Sequence, residues 1–118
     1  MYSLKALVLE GCPYCENLEK LLIEYKIPTE YIKTNYENKN EFKMKYNIQT
    51  FPQVYLVKNK DDKGILIGGY NDVKEIIDYI KNNNYDKIKE YIKNKYYFIN
   101  NKKMLRLIQV FAHKDLEL

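Results

Sequence analysis

Cys12 and Cys15 are the only cysteines in the chain of 118 residues, and they form the run Cys12-Pro13-Tyr14-Cys15. Disulfide exchange needs a thiolate that attacks sulfur and a second thiol close enough to displace whatever the first has captured. Two cysteines with two residues between them, at the start of a helix, can meet that geometry. Pro13 follows Cys12 directly, and Leu18, Leu21, Leu22 and Tyr25 then recur at helical spacing. Proline suits the first turn of a helix, where its missing N–H would have had no partner in any case. Cys12 is therefore expected at or just before a helix N-terminus. There the free backbone N–H groups and the positive end of the helix dipole favour the thiolate. Cys15 is expected one turn inside, less exposed, as the resolving thiol. The same pair could be half of a zinc site, but a closed site within one chain needs two more Cys or His, and the only histidine is the distant His113, which leaves open only a metal bridged between two chains.

The elements that must position this pair follow from the apolar pattern. Residues 4–10, LKALVLE, read as a buried strand that Gly11 breaks. The helix begun at Pro13 is expected to end at Pro28. Residues 29–34 alternate as a strand, and 38–46, with Phe42 and Tyr46 four apart, suit a short helix. Residues 52–57, with Pro52 at the beginning, and 65–67 read as two strands joined by the turn at 59–64, a hairpin. Gly68 and Gly69 interrupt the pattern. Asp72 is read as the cap of a third helix with Val73, Ile76, Ile77 and Ile80 inward. The order β-α-β-α-β-β-α implies a four-stranded mixed sheet with helices on its faces, in the α/β class. Two domain segments are expected: residues 1–82, and an extension, 83–118, packed on the same domain because so short a segment buries too little core alone. Within the extension, 85–95 suits a helix with Ile88, Tyr91 and Ile92 inward. The apolar run 104–112 could be a strand or a helix, and the spacing of 104, 107, 108 and 111 favours the helix.

Bulk composition narrows the functional classes. Hydrophobic residues make up 46% and charged residues 31%, and there are 13 Tyr and 4 Phe, too much apolar and aromatic material for a disordered chain. A net charge of +4, with acidic residues interspersed among the lysines, implies a solvated mixed surface and no nucleic-acid partner. No apolar run approaches the roughly 20 residues of a membrane span. The N-terminal residues do not read as a signal peptide, and without one the faint likeness of residues 115–118 to a retention tail carries no function. A cytoplasmic location with no membrane partner is expected. In that reducing setting a close cysteine pair is more often redox-active than structural.

Three motifs in order resemble one family. CPYC after a first strand, TFPQV at 50–54 and GGYND at 68–72 look like the dithiol glutaredoxins, which have the thioredoxin-like fold. The resemblance covers roughly residues 3–82. It implies that Cys12 is the nucleophile that takes up glutathione as a mixed disulfide and that Cys15 closes an intramolecular disulfide. It implies further that Tyr14 lines the glutathione groove, and that Thr50-Phe51-Pro52 matches the family's Thr-Val-Pro, with a cis proline and a preceding residue whose backbone pairs with the tripeptide. Tyr70, Asn71 and Asp72 match the segment that holds the γ-glutamyl end. Two features depart from the family pattern. Many members carry a basic residue three before the nucleophile, where this chain has Leu9, followed by the acidic Glu10. Lys39, and more weakly Lys5, could substitute. The extension after residue 82 is the second departure.

The resulting expectation is a monomeric glutathione-dependent thiol–disulfide oxidoreductase. It would use glutathione as reductant and co-substrate and act on disulfide-bonded or glutathionylated proteins. Two other readings stay open: a thioredoxin-like reductase of protein disulfides that does not use glutathione, and a module that binds a glutathione-ligated iron–sulfur cluster through Cys12.

Overall fold

The computed structural model describes residues 2–113; the 115–118 tail and the last residues of the expected 83–118 extension lie outside them. The elements run β1 (Ser3–Leu9), α1 (Pro13–Glu24), β2 (Thr29–Thr34), α2 (Lys39–Tyr46), β3 (Gln53–Val57), β4 (Ile65–Gly68), α3 (Tyr70–Asn82), α4 (Tyr85–Lys95) and α5 (Asn101–Ala112). The sheet order is β2-β1-β3-β4. β1 pairs in parallel with β2 and antiparallel with β3, and β3 and β4 form the antiparallel hairpin. This is the four-stranded mixed sheet of the thioredoxin-like fold.

β1 is paired on both sides, and its residues are buried on both faces from Leu4 to Val8. Leu4, Ala6 and Val8 meet Leu18 and Leu22 of α1 and Val73 and Ile76 of α3 in one core. Burying each of these leucines is worth about 1.5–3 kcal/mol. On the opposite face Lys5, Leu7 and Tyr55 border one cavity with Lys45 and Tyr46 at the end of α2. Lys5 is buried, and its Nζ donates to the Asp62 carbonyl at 2.9 Å, so this lysine anchors the β3–β4 turn.

Helix α1 stops earlier than its sequence suggests. Its last helical residue is Glu24, and Pro28 lies beyond a closing turn. Lys26 adopts φ +54, its N–H donates to the Ile23 carbonyl, and the Ile27 N–H donates to the Leu22 carbonyl. These are the two bonds of a Schellman closure, and Leu22 and Ile27, the apolar residues at the two ends of its longer bond, are both buried in the core.

Helices α4 and α5 bury Ile88, Ile92, Met104, Leu107, Ile108 and Phe111 in the same core cluster as the sheet. Tyr91, expected inward with them, is half-buried and stacks on Tyr79 of α3 at 4.2 Å. Tyr96, just past α4, is buried, and its hydroxyl donates to the Ile67 carbonyl at 2.7 Å. At the far end of α5, His113 Nε2–H donates to the Tyr25 carbonyl at 2.7 Å.

A non-glycine residue in the left-handed region is unfavourable by about 1–2 kcal/mol relative to its right-handed conformation. Lys26→Gly is therefore expected to raise stability by about 0.5–1 kcal/mol, net of the extra freedom glycine gives the unfolded chain. Urea denaturation of both proteins measures this, and an unchanged or lower midpoint would show that Lys26 is not strained.

Candidate active site

Gly11, at φ +76, turns the chain out of β1 and delivers Cys12 to the start of α1. Cys12 is the N-cap residue, with extended backbone (φ −85, ψ 118), and Pro13 opens the helix behind it. The Cys12 sulfur accepts the Cys15 N–H at 3.4 Å, so a first-turn amide donor is directed at the thiol. The strand end holds both cysteines: the Cys12 N–H donates to the Leu9 carbonyl, and the Leu9 N–H donates to Cys15 Sγ at 3.4 Å.

The two thiols differ in environment. Cys12 is partly exposed, whereas Cys15 is 2% exposed within the core. Burial pushes the Cys15 thiol from 9.0 up to about 12; the Leu9 N–H partly offsets this, and the hydrogen bond and charge of Cys12 add to it. At neutral pH Cys15 is a protonated thiol.

A groove of about 380 Å³ lies beside this helix start. All seven residues expected to bind the tripeptide border it: Tyr14, Thr50, Phe51, Pro52, Tyr70, Asn71 and Asp72. Cys12 and Cys15 do not border the cavity itself. Tyr14, 57% exposed, and Tyr70 lie against each other on its border, with ring centroids 6.1 Å apart and planes tilted by 46°. The Phe51–Pro52 bond is cis.

Sequence reasoning assigned no role to Gln53, which also borders the groove and whose Nε2 donates to Thr50 Oγ1 at 2.8 Å. It lies inside the TFPQV motif, and that adjacency was the available signal. Lys39 stands over the ring of Tyr36, with Nζ 4.3 Å from the centroid, and does not border the groove. Lys43, one turn further along α2, is the lysine that reaches Phe51, with Nζ 5.9 Å from the ring centroid.

Asp72 is not the cap residue of its helix. Gly69 occupies that position, and Asp72 stands three residues in, reaching back to accept the Gly69 N–H through Oδ2 at 3.0 Å. Proximity to Gly68 makes this possible. Gly68 has φ +133, and a Cβ there would stand 2.2 Å from Asp72 Oδ2, so any side chain at 68 would evict the carboxylate.

Together, the fold and the paired thiols define a thioredoxin-fold thiol–disulfide oxidoreductase. The chain belongs to the glutaredoxin family, whose profile matches residues 1–60 and so includes the cysteine pair and Thr50–Pro52. The segment from Gly68 to Asp72 lies beyond that match. Among solved structures the chain resembles glutaredoxin 1 from Francisella tularensis, crystallised with cacodylate. Identity is 24% and the TM-score 0.54, over 70% of this chain and 100% of that one. A wheat glutaredoxin is more distant, at 19% identity and a TM-score of 0.47 over 66% of this chain and 75% of that one. These likenesses concern the fold. No curated protein matches the chain significantly. Among the described residues no helix is long and apolar enough to cross a membrane, and no group of three or more His, Cys, Asp or Glu side chains could hold a metal ion.

Two outcomes follow from the contrast between the thiols. At pH 7.5 iodoacetamide should alkylate Cys12 and leave Cys15 unmodified in the folded chain, because the thiolate is the nucleophile and Cys15 is both buried and protonated. Peptide mass spectrometry reads the ratio, and equal labelling would show that the two environments are alike.

The second outcome concerns alkaline stability. Unfolding releases Cys15 to ionise near its ordinary 9.0, while the folded value is about 12. Its contribution to stability is therefore complete below pH 9 and is lost as pH rises from 9 towards 12, by at most about 1.4 kcal/mol per pH unit. Burial also pushes up Tyr31, Tyr55, Tyr91 and Tyr96, so they too withdraw stability as the pH rises. The contribution of Cys15 is thus the difference between wild type and Cys15→Ala, whose decline across this window should be shallower. Parallel curves would contradict it.

Proposed function

We propose that the chain is a glutathione-dependent disulfide reductase with Cys12 as nucleophile and Cys15 as resolving thiol. The observation that carries this reading is the groove: the seven residues expected at the tripeptide, drawn from three separate segments, border one cavity beside the helix that begins at Cys12. Glutathione fits its lining. An extended cysteinyl backbone would lie along Phe51 and add to it as a short strand. The touching rings of Tyr14 and Tyr70 would lie along one side of the tripeptide. The γ-glutamyl carboxylate would meet the first N–H groups of α3, and the γ-glutamyl ammonium would meet Asp72.

The chemistry divides by substrate. With a glutathionylated protein, the Cys12 thiolate attacks the glutathione sulfur, the protein thiolate leaves, and Cys12 carries glutathione. A second glutathione thiolate attacks that sulfur, releasing oxidised glutathione and restoring Cys12. With a protein disulfide, Cys12 is left bound to the substrate. Cys15 loses its proton, attacks Cys12 Sγ and expels the second protein thiolate, and two glutathione molecules then reduce the Cys12–Cys15 disulfide.

The raised Cys15 thiol suits this order. Part of what holds its proton is the hydrogen bond and the charge of Cys12. Both contributions disappear once the Cys12 sulfur is committed to a mixed disulfide. Cys15 becomes easier to ionise at the step that requires it, and idle thiolate in the resting enzyme is suppressed. The physiological setting would be a reducing one such as the cytoplasm, where the pair passes electrons from glutathione to protein disulfides.

Cys12→Ser should abolish turnover of both substrate types. Cys15→Ser should retain much of the activity on a glutathionylated peptide and lose the reduction of protein disulfides, which depends on a resolving thiol at high effective concentration. Both are measured at one glutathione concentration. Equal loss on the two substrates would exclude the one-thiol route. In a glutathione redox series the wild-type couple should lie at about −200 to −230 mV, and a value below about −270 mV would favour the thioredoxin-like reading.

A further inference from the structure

The groove end at Asp72 has a second occupant from within the chain. One carboxylate oxygen, Oδ2, accepts the Gly69 N–H. The other, Oδ1, lies 3.0 Å from Nζ of Lys95, the last residue of α4. Asp72 borders the groove, while Lys95 borders the cleft of about 680 Å³ between α3 and α4. The lysine does not stand there loosely. Its side chain is 21% exposed, it also reaches Glu75 Oε1 at 3.3 Å, and Glu75 in turn accepts the Tyr91 hydroxyl. Tyr96, the next residue, is tied to the Ile67 carbonyl, one residue before Gly68. The extension is fastened to the chain on both sides of the turn that forms the groove end.

We propose that Lys95 is a specificity-determining residue: by satisfying Asp72 from within, it lets the groove accept disulfides that lack the γ-glutamyl ammonium nearly as well as those that carry it. This inference rests on the glutathione reading of the groove. Without Lys95, a ligand lacking an ammonium leaves the half-exposed carboxylate with only the Gly69 N–H and water, and a ligand that carries an ammonium is favoured. Here the anion already holds an ammonium. A ligand ammonium that joins the same carboxylate must also tolerate the like charge of Lys95 a few ångströms away. The ligand's neighbouring carboxylate is common to both kinds of substrate and cancels from the comparison. The substrate class this admits is low-molecular-weight thiols joined as mixed disulfides, acidic at the end that meets α3 but not amino-bearing. Lys95 acts through Asp72 and is a positioning residue, not a catalytic one.

The test compares two mixed disulfides of one peptide, one with glutathione and one with glutaryl-cysteinyl-glycine, which keeps the terminal carboxylate and lacks only the amino group. The ratio of kcat/KM values is measured for the wild type, Lys95→Met, Lys95→Gln, Lys95→Arg and the double variant Lys95→Met with Asp72→Asn, with the melting temperature of each. The wild-type ratio should be small. It should rise about two- to fivefold in favour of glutathione in Lys95→Met and Lys95→Gln, the size of a partly exposed charge coupling. It should return to the wild-type value in Lys95→Arg and collapse in the double variant. An unchanged or reduced ratio in Lys95→Met and Lys95→Gln would overturn the proposal and leave the glutathione reading intact. A raised ratio that survives Asp72→Asn would overturn the assignment of the ammonium to Asp72. Absence of turnover of the glutathione mixed disulfide by the wild type would overturn both.

Discussion

The central position of β1 in the sheet is the constraint on which the rest of the molecule depends. Paired on both edges and buried on both faces, this strand has only one stable register, because a slip of one residue would exchange Leu4, Ala6 and Val8 for Lys5 and Leu7 against α1 and α3. Its end is therefore fixed, and Leu9 bonds to both cysteines, through its carbonyl to the Cys12 amide and through its N–H to the Cys15 sulfur. The cysteine pair stands one glycine turn beyond the strand that is paired on both edges and buried on both faces. That placement produces the asymmetry of the two thiols. The helix that must start at Cys12 has to bury its inner face against the sheet, and Cys15 goes into the core with Leu18 and Leu22.

The other side of the groove is assembled from parts that constrain one another locally. The backbone at Gly68 is open because a carboxylate from α3 fills the space where a side chain would be, and that carboxylate is held there by the amide of Gly69. Helix start, glycine pair and acidic residue form one unit, and none could be replaced singly without displacing the others. Across the cavity, Gln53 ties back to Thr50 and braces the segment that carries the cis proline.

Much of this was legible in the sequence because it is written in local terms. The four strands, the hairpin and the helix begun at Pro13 follow from apolar period and from proline and glycine positions. The run 104–112 reads as strand or helix, and the spacing of Met104, Leu107, Ile108 and Phe111 points to the helix that forms, with Val110 buried beside them. What was misread needed geometry. Asp72 looks like a cap residue because aspartate favours that position, yet two glycines ahead of it let the chain begin the helix earlier, and the same side chain serves from the third position. Pro28 looks like the end of α1, whereas the closing turn through Leu22 and Ile27 ends the helix four residues sooner at the expense of a strained Lys26. Lys95 could not have been singled out at all. It is one of many lysines on a polar helix, and only the docking of α4 brings it to a carboxylate far back in the chain.

The tie between Tyr96 and the Ile67 carbonyl makes α4 a party to whatever happens in the groove. Two processes that share an element are linked in both directions: what docking of α4 does to binding, binding must do to docking, by the same factor. A ligand that draws Asp72 away from Lys95 loosens one of the fastenings of α4, and a ligand that leaves the pair undisturbed does not. Local opening of α4, seen as exchange of its amide hydrogens with solvent, therefore becomes a report on the chemistry of the occupant. The extension does not line the groove, yet it is linked thermodynamically to the segment that does.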